Sequence, residues 1–246
     1  MQHFFVLPSD VYKDEIVISG GDFNHIKNVL RMKVGEQLSI SDGNNKRYIC
    51  KIKEFSDNSV IVDIEAEEEN SSELSNKIYL FQGLPKSDKM ELIIQKCTEL
   101  GVFEIIPVIT KRVVVKLDDK KAIKKVERWN TIASSAAKQA GRGVVPKVQS
   151  PISFKEALNL LETLDIKLIP YELASGMEET RNIINKIREN QSIGIFIGPE
   201  GGFEKEEIEE AKKIGMFPIT LGKRILRTET AGFALLSILM FQLENE

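Results

Sequence analysis

Two segments near the C-terminus each run from a short apolar stretch through a loop into a helical pattern. The apolar stretches cover 193–197 and 217–221, and the motifs that follow are Gly-Pro-Glu-Gly-Gly-Phe at 198–203 and Leu-Gly-Lys-Arg-Ile-Leu-Arg-Thr-Glu-Thr-Ala at 221–231. Strands that lead into helices in this way end at one edge of a parallel sheet, and in open α/β sheets ligands bind at that edge. The sequence therefore predicts a ligand site between the two motifs.

The chain from residue 77 onward alternates short apolar stretches, typical of strands, with segments of helical periodicity. We predict strands at 77–83, 102–109 and 167–170, and helices at about 88–100, 120–140 and 177–188. Alternation of this length predicts an α/β fold whose mainly parallel sheet is covered by helices on both faces.

The N-terminal part of the chain has a different pattern. Apolar and polar residues alternate at 37–41, 47–52 and 59–64, which predicts short strands joined by turns. A polar run at 65–73 has no apolar periodicity and marks a boundary, so we predict a β-rich domain at 1–70 and an α/β domain at 71–246. The first domain resembles a small RNA-binding barrel, although an ordinary structural β domain has the same pattern.

Charge is unevenly distributed in a chain whose net charge is −3. Lysine and arginine greatly outnumber acidic residues at 111–147, and we call this segment the basic island. A local basic surface on an acidic protein is compatible with a phosphate-bearing partner such as RNA. A solvated helix face explains the same residues equally well.

Several classes of protein are disfavoured by what the sequence lacks. No apolar run approaches the roughly 20 residues that span a bilayer, and the N-terminus lacks a basic start followed by a long apolar stretch, so we predict a cytoplasmic protein with no membrane contact. Cys50 and Cys97 lie in apolar settings, which favours reduced core thiols. With only His3 and His25 besides, we predict no metal site.

The glycines of the first motif allow positive φ and let backbone amides approach a ligand closely. Its spacing matches neither Gly-x-Gly-x-x-Gly nor the phosphate loop Gly-x-x-x-x-Gly-Lys-Ser/Thr. Glu200 and Glu204 also put negative charge where a phosphate would sit. We therefore expect a neutral or cationic ligand with hydrogen-bonding edges, such as a nucleoside that bears a sulfonium. The alternative is a tight turn packed against the sheet.

The second motif brings Arg224, Arg227 and Glu229 close together, and either Thr228 or Thr230 can cap the helix that follows. The planar guanidinium of arginine binds phosphates and bases in bidentate fashion. The alternative is an ion pair between Arg227 and Glu229 that only fixes the loop. Both interpretations are compatible with each other.

Together the two motifs resemble the signature of the RsmE family, bacterial methyltransferases of the SPOUT class that modify uridine N3 in the 16S ribosomal RNA of the small subunit. Further stretches of the family pattern occur at 25–31, 84–86, 96–102 and 136–142. The resemblance implies an N-terminal PUA-like barrel, a C-terminal α/β domain with a trefoil knot, a homodimer, and S-adenosylmethionine bound in the knot. A non-catalytic RNA-binding protein is the alternative, and it would leave the two motifs without a purpose.

The resemblance also implies which residues bind the cofactor, chiefly through backbone groups. They are Leu173, Ile197, Gly198, Glu200, Gly201, Gly202, Leu221, Gly222, Ile225, Leu226, Thr230 and Ala231. We assign catalysis to Arg227, which would orient the uracil and stabilise its developing negative charge, and to Glu229. Glu229 would either hold Arg227 or act as the base, and we favour holding because a carboxylate beside an arginine is a poor base. The predicted RNA contacts are Arg31, Lys86, Arg112, Lys124, Lys125 and Arg142.

Overall fold

The structure is a computed structural model of the 246-residue chain, and it describes residues 1–69, 72–115, 118–174 and 176–244. The chain divides into two compact units. One contains Met1–Glu73 and Ala137–Val145, and the other contains Leu74–Ala136 and Pro146–Glu246. Asn70 and Ser71, between which we placed the domain boundary, lie outside the described residues. The sequence did not indicate that Ala137–Val145 belongs to the first unit.

The first unit is built on a five-stranded sheet that curls into a half-barrel. Its strands are β1 Gln2–Phe5, β2 Glu15–Ser19, β3 Gln37–Ser41, β4 Lys46–Phe55 and β5 Ser59–Glu69, in the order β1-β3-β4-β5-β2. Only the β1–β3 pair is parallel. Register shifts in β4 mark irregularities that bend a strand and increase its twist. The three strands predicted from alternation are confirmed as β3, β4 and β5.

One helical segment interrupts the first unit. Helix α1, Gly20–Asn24, continues into a π-helical turn, His25–Val29, whose Ile26 is fully buried among the strand residues. Its N-cap is Ser19, which makes no side-chain capping bond, and both carboxylate oxygens of Asp22 accept bonds from Lys138 at 2.6 and 2.9 Å. Arg142 pairs with Glu73 in the same unit. These two ion pairs connect residues of Ala137–Val145 to the rest of the first unit.

The second unit contains a seven-stranded sheet in which every strand pair is parallel, as predicted. Its strands are β6 Lys77–Gly83, β7 Glu104–Ile109, β8 Lys147–Val148, β9 Ile152–Ser153, β10 Ile166–Pro170, β11 Ser192–Ile197 and β12 Phe217–Ile219. The order is β12-β10-β11-β6-β7-β8, and β9 also pairs with β7. Strand β11, which leads into the first motif, therefore lies in the interior of the sheet, whereas β12 lies at an edge.

Six helices cover the two faces of this sheet in the described part of the unit. Successive side chains of each strand point to opposite faces, so both faces carry side chains that a helix can bury. They are α2 Lys89–Glu99, α3 Asp119–Gln139, α4 Phe154–Glu162, α5 Met177–Ile184, α6 Lys205–Lys213 and α7 Thr228–Leu243. Helices α2, α3, α5 and α7 contribute to one core, and α4 and α6 to the other. The sequence interpretation missed α4 and extended α5 past Ile184, where the helix ends.

The chain doubles back after β12. From this edge strand it returns to the middle of the sheet, where the Thr228 hydroxyl at the start of α7 donates to the carbonyl of Gly198, the residue after β11. The trefoil knot implied by the resemblance requires such a return. Cys50 and Cys97 are buried and unpaired, as predicted. Among the described helices none is both long and apolar enough to cross a membrane.

Candidate active site

A cavity of about 470 Å³ opens in the second unit where β10, β11 and β12 end. This is the carboxyl edge predicted from the sequence, and the volume is in the range of small-molecule sites. Its lining comes from three loops and two helix starts: Lys89, Pro170, Tyr171, Glu172, Ile197, Gly198, Pro199, Glu200, Gly201, Gly202, Phe203, Thr220, Leu221, Gly222, Lys223, Arg224, Ile225, Leu226, Arg227, Thr228 and Ala231.

The loop at 198–203 forms the first wall, and glycine is required where it packs most closely. A Cβ on Gly83, at the end of β6, would lie 2.6 Å from both the backbone N and the Cδ of Pro199. A Cβ on Gly198 would lie 3.1 Å from the Cα of Gly202, which itself has a φ of +67°. The loop thus folds back on itself directly against the end of β6, and its backbone lines the cavity.

Glu200 anchors this wall to the start of α2. Its carboxylate accepts bonds from the Lys86 backbone N–H at 3.1 Å and from Lys89 Nζ at 2.9 Å. Burial opposes the charged form of Glu200, but these bonds and that of its own backbone N–H hold its pKa below the usual value. The bond to Glu200 also raises the pKa of Lys89. Glu200 is therefore paired at the start of α2.

The start of α6 is capped instead by Glu204, whose backbone N–H donates to Glu207 at 2.9 Å. Arg112, predicted as an RNA contact, binds this same region from outside the cavity. Its Nε and one Nη donate to the two oxygens of Glu204 at 2.9 and 3.1 Å, and the other Nη donates to the Gly201 carbonyl. The paired guanidinium lowers the pKa of Glu204. Arg112 thus clamps the 198–203 loop.

The loop at 220–227 forms the second wall, and the bonds that hold it centre on Thr220. The Thr220 backbone N–H donates to Thr180 Oγ1 at 3.2 Å, and the Thr220 hydroxyl oxygen accepts from Gly222 N–H at 3.3 Å. Gly222 has a φ of +114°, which favours glycine. The side chain of Ile225 is 86% exposed. This wall presents its side chains to solvent and to the cavity mouth.

Arg227 and Glu229 are not paired with each other, contrary to our hypothesis that Glu229 holds the arginine. Glu229 lies 3.7 Å from Lys89 Nζ. Within the described part of the chain, no carboxylate lies within 4.0 Å of Arg227, which is exposed immediately before α7. Glu229 is therefore ion-paired with Lys89, without a hydrogen bond among the described residues. Lys89 lines the cavity, and the sequence interpretation missed it. A lysine in the first turn of a helix opposes the helix dipole, and that unfavourable position was an available signal.

Most of the residues predicted to bind the cofactor come together at the cavity. Those that line it are Ile197, Gly198, Glu200, Gly201, Gly202, Leu221, Gly222, Ile225, Leu226 and Ala231. Leu173, which is 67% exposed, and Thr230 are outside the lining. Neither threonine side chain caps the start of α7, contrary to the prediction. The Thr228 hydroxyl donates to the Gly198 carbonyl instead.

The residues predicted to bind RNA fall into different environments. Lys86 and Lys124 are exposed in the second unit, where Lys125 lies 5.9 Å from the centre of the Trp129 ring. Arg31 is exposed in the first unit. Arg142 is only 3% exposed and its charge is paired with Glu73, so the prediction that it contacts RNA is withdrawn.

No cluster of metal-binding residues was found in the described ranges, which contain no group of three or more His, Cys, Asp or Glu placed to hold an ion. The cavity offers backbone amides and carbonyls, aliphatic side chains, and the cations Lys89, Lys223, Arg224 and Arg227. Such a set suits a ligand that is recognised by its hydrogen-bonding edges and a second reactant that develops negative charge.

Comparison with known proteins identifies the class to which this chain belongs. Residues 72–240 match the model of an RNA methyltransferase domain, and residues 18–65 match that of an RNA methyltransferase PUA domain. Fold, cavity and matches together define an RNA methyltransferase with a PUA domain.

Individual relatives identify the family more closely. The ribosomal RNA small subunit methyltransferase E of Bacillus subtilis is 39% identical over 99% of this chain and 98% of its own length. That of Mesomycoplasma hyopneumoniae is 35% identical over 96% of this chain and 98% of its own. The crystal structure of the Neisseria gonorrhoeae enzyme, bound to S-adenosylmethionine, superposes with a TM-score of 0.86 at 32% identity, covering 98% of this chain and 97% of that one. The chain belongs to the ribosomal RNA small subunit methyltransferase E family.

Proposed function

We propose that this protein transfers a methyl group from S-adenosylmethionine to N3 of a uridine in the 16S ribosomal RNA of the small subunit. The observation that carries the proposal is the cavity between the 198–203 and 220–227 loops, at the ends of three parallel strands. The relatives' names specify small-subunit ribosomal RNA, and the Neisseria structure contains the methyl donor. A non-catalytic RNA-binding protein, the alternative, would not need this cavity.

The residues of the cavity fit S-adenosylmethionine. Ile197, Leu221 and Leu226 supply apolar surface for the adenine, and the backbone of both loops supplies donors and acceptors for its edge. Close approach to this backbone depends on glycines such as Gly198 and Gly222. When bound, the cofactor supplies a methyl group that its sulfonium has already activated.

The chain's own contribution is to orient the uracil and to favour loss of its N3 proton. Arg227 is exposed at the cavity, and its guanidinium, which has no partner among the described residues, can hold the base or a neighbouring phosphate. Lys89 adds a second positive charge, and Glu229 and Glu200 hold it in place. Both cations stabilise negative charge on the deprotonated uracil. Glu229 does not line the cavity, so we assign it a positioning role.

RNA contact is assigned to the exposed cations Lys86, Lys124 and, in the first unit, Arg31, and to the half-buried Lys125. Because its proposed substrate is ribosomal RNA, we place the protein in the cytoplasm.

We also propose a homodimer, since α7 is apolar around its whole circumference and leaves Phe241 86% and Ile238 43% exposed. A Phe241→Glu variant should shift the mass in analytical ultracentrifugation from dimer to monomer.

The proposed activity can be tested with small ribosomal subunits from cells that lack the protein. Purified protein and S-adenosylmethionine with a labelled methyl group are added, and the RNA is digested for nucleoside mass spectrometry. We expect label in N3-methyluridine. Label in another nucleoside would refute the assigned atom, and no transfer together with no cofactor binding in calorimetry would favour the non-catalytic alternative.

A further inference from the structure

Gln82 is a fully buried amide at the carboxyl end of β6 that the proposed mechanism has not used. Its Nε2 donates to Thr228 Oγ1 at 2.9 Å and to the Gly83 carbonyl at 2.9 Å. The Thr228 hydroxyl in turn donates to the Gly198 carbonyl at 2.6 Å. Three segments that are distant in sequence are thus joined by one chain of hydrogen bonds, which we call the Gln82–Thr228–Gly198 relay.

The direction of each bond in the relay is determined. The Gly198 carbonyl can only accept, so the single hydroxyl hydrogen of Thr228 is used there. Thr228 Oγ1 must then accept its second bond, which requires a donor at Gln82. Methionine, although similar in size, has no hydrogen to donate. A serine could replace the threonine in this chain of bonds, whereas a valine could not.

The relay lies beneath the two walls of the cavity. Gly198 begins the first wall, and Thr228 follows Arg227, the last residue of the second. Gly83, next to Gln82, is in the close contact with Pro199 described above. The end of β6 therefore fixes the first wall through packing at Pro199 and fixes both walls relative to each other through the relay.

The burial of Gln82 also carries an unfavourable desolvation free energy. Its Oε1 has no hydrogen-bond partner among the described residues, although the atom is excluded from solvent. An apolar residue of similar size would avoid that cost, since replacing a polar pair by well-fitting apolar groups is often neutral for stability. The buried amide of Gln82 is thus better explained by the hydrogen bonds that its Nε2 donates than by a contribution to stability.

We propose that Gln82 and Thr228 are positioning residues that set the distance between the cofactor wall at Gly198 and the RNA-facing Arg227. This inference rests on the proposed methyl transfer. Neither side chain is assigned a contact with the transferred methyl group or the uracil. Their role is to keep Arg227 in register with the loop that holds the methyl donor, because small errors in the placement of reacting groups are costly.

The test compares Thr228→Val with Thr228→Ser, which differ in the hydroxyl but both remain small. We expect Thr228→Val to weaken cofactor binding by about tenfold, the size of one lost hydrogen bond, and to lower kcat by about a further tenfold through misplacement of Arg227. Thr228→Ser should stay within about threefold of wild type in both quantities, because it can rebuild the relay.

Thr163→Val is the matched control. The Thr163 hydroxyl also donates to a backbone carbonyl, that of Leu160 at 2.8 Å, but it lies at the end of α4, before β10 begins and away from the cavity lining. We expect cofactor affinity and kcat to be unchanged in this variant. A drop equal to that of Thr228→Val would show that loss of any such hydroxyl is harmful, and would overturn the relay.

Gln82→Met provides a second route that does not depend on how Thr228→Val folds. It removes both donors together with the unpaired acceptor, so the melting temperature should change little while kcat falls by about tenfold. Combined with Thr228→Val, it should add no more than about a twofold further loss, because both substitutions break one chain of bonds. If the loss of kcat in the double variant equalled the product of the two single losses, the relay would be contradicted.

Wild-type protein measured in parallel separates the two proposals. Wild type that binds the cofactor and methylates the subunit, with Thr228→Val equal to it in both assays, would overturn the relay and leave the proposed function intact. Wild type that neither binds the cofactor nor transfers a methyl group would refute the proposed function, and the positioning role with it.

Discussion

The two walls of the cavity differ in how they are held. The 198–203 loop is bound from three directions, by Thr228 at Gly198, by Lys86 and Lys89 at Glu200, and by Arg112 at Gly201. The 220–227 loop is held mainly through Thr220 and carries exposed cations. The restrained 198–203 loop suits one side of the methyl donor. We propose that the 220–227 loop serves both reactants, with Leu221 and Leu226 against the donor and its exposed cations toward an RNA that must enter and leave.

The largest expected effect is on the open wall. Arg227→Ala should lower the rate of methyl transfer by about 10²- to 10³-fold, because it removes charge stabilisation from the reacting base, and change cofactor affinity by less than about threefold, because the other wall stays intact. Single-turnover assays and calorimetry measure the two quantities. Arg188→Ala, whose side chain is exposed outside the cavity lining, is the control. A loss of cofactor affinity as large as the loss of rate would place Arg227 in the cofactor wall.

Next in size is a change beneath the rigid wall. Gly83→Ala would put a Cβ 2.6 Å from the Pro199 backbone N, so the loop or the strand must move. We expect the free energy of unfolding to fall by about 1–3 kcal/mol and cofactor affinity to fall with it, measured by urea denaturation and calorimetry.

The matched control for that change is Gly21→Ala in α1, where an added Cβ meets nothing within 4 Å and φ is not positive. We expect this variant to be neutral or slightly stabilising. If Gly83→Ala behaved in the same way, the close contact at Pro199 would not be what fixes the first wall.

A smaller effect separates Arg112 from the basic residues with which the sequence grouped it. Arg112→Ala should weaken cofactor binding by roughly three- to tenfold, through loss of its bonds to Gly201 and Glu204. It should leave the salt dependence of RNA binding unchanged.

Lys124→Ala should do the opposite, reducing the slope of log K against log salt by about one and sparing cofactor affinity. Filter binding over a range of salt concentrations measures the slope. Equal slopes for the two variants, both below wild type, would return Arg112 to the RNA surface.

The smallest effect compares two isoleucines that were both predicted to bind the cofactor. Ile197 is 2% exposed and Ile225 is 86% exposed. Ile197→Val should destabilise the protein by about 0.5–1.5 kcal/mol, while Ile225→Val should change stability by less than about 0.5 kcal/mol, as measured by thermal unfolding. A destabilisation by Ile225→Val as large as that of Ile197→Val would mean that the second wall is packed as tightly as the first.

Much of the second unit follows from local pattern. The strands at 77–83 and 192–197 are largely apolar runs. Their parallel orientation follows from the alternation of strands with helices. Helix α4 was missed although Ser153 and Glu156 form a capping box that is visible in the sequence. In the first unit, β1 and β2 were missed, and their pairing with β3 and β5 identifies them as strands.

The sequence by itself determined the fold class, the edge of the sheet where the site lies, and the glycine-bearing loops that form it, because hydrophobic periodicity and glycine act over a few neighbouring residues. Only the tertiary structure decided the partners of the charged groups: Arg112 clamps a loop, Arg142 is buried on Glu73, and Glu229 holds Lys89. It also brought Gln82 to Thr228, 146 positions away. An ion pair or hydrogen bond depends on a distance of a few ångströms in space, and sequence spacing does not specify that distance once the chain has folded back on itself.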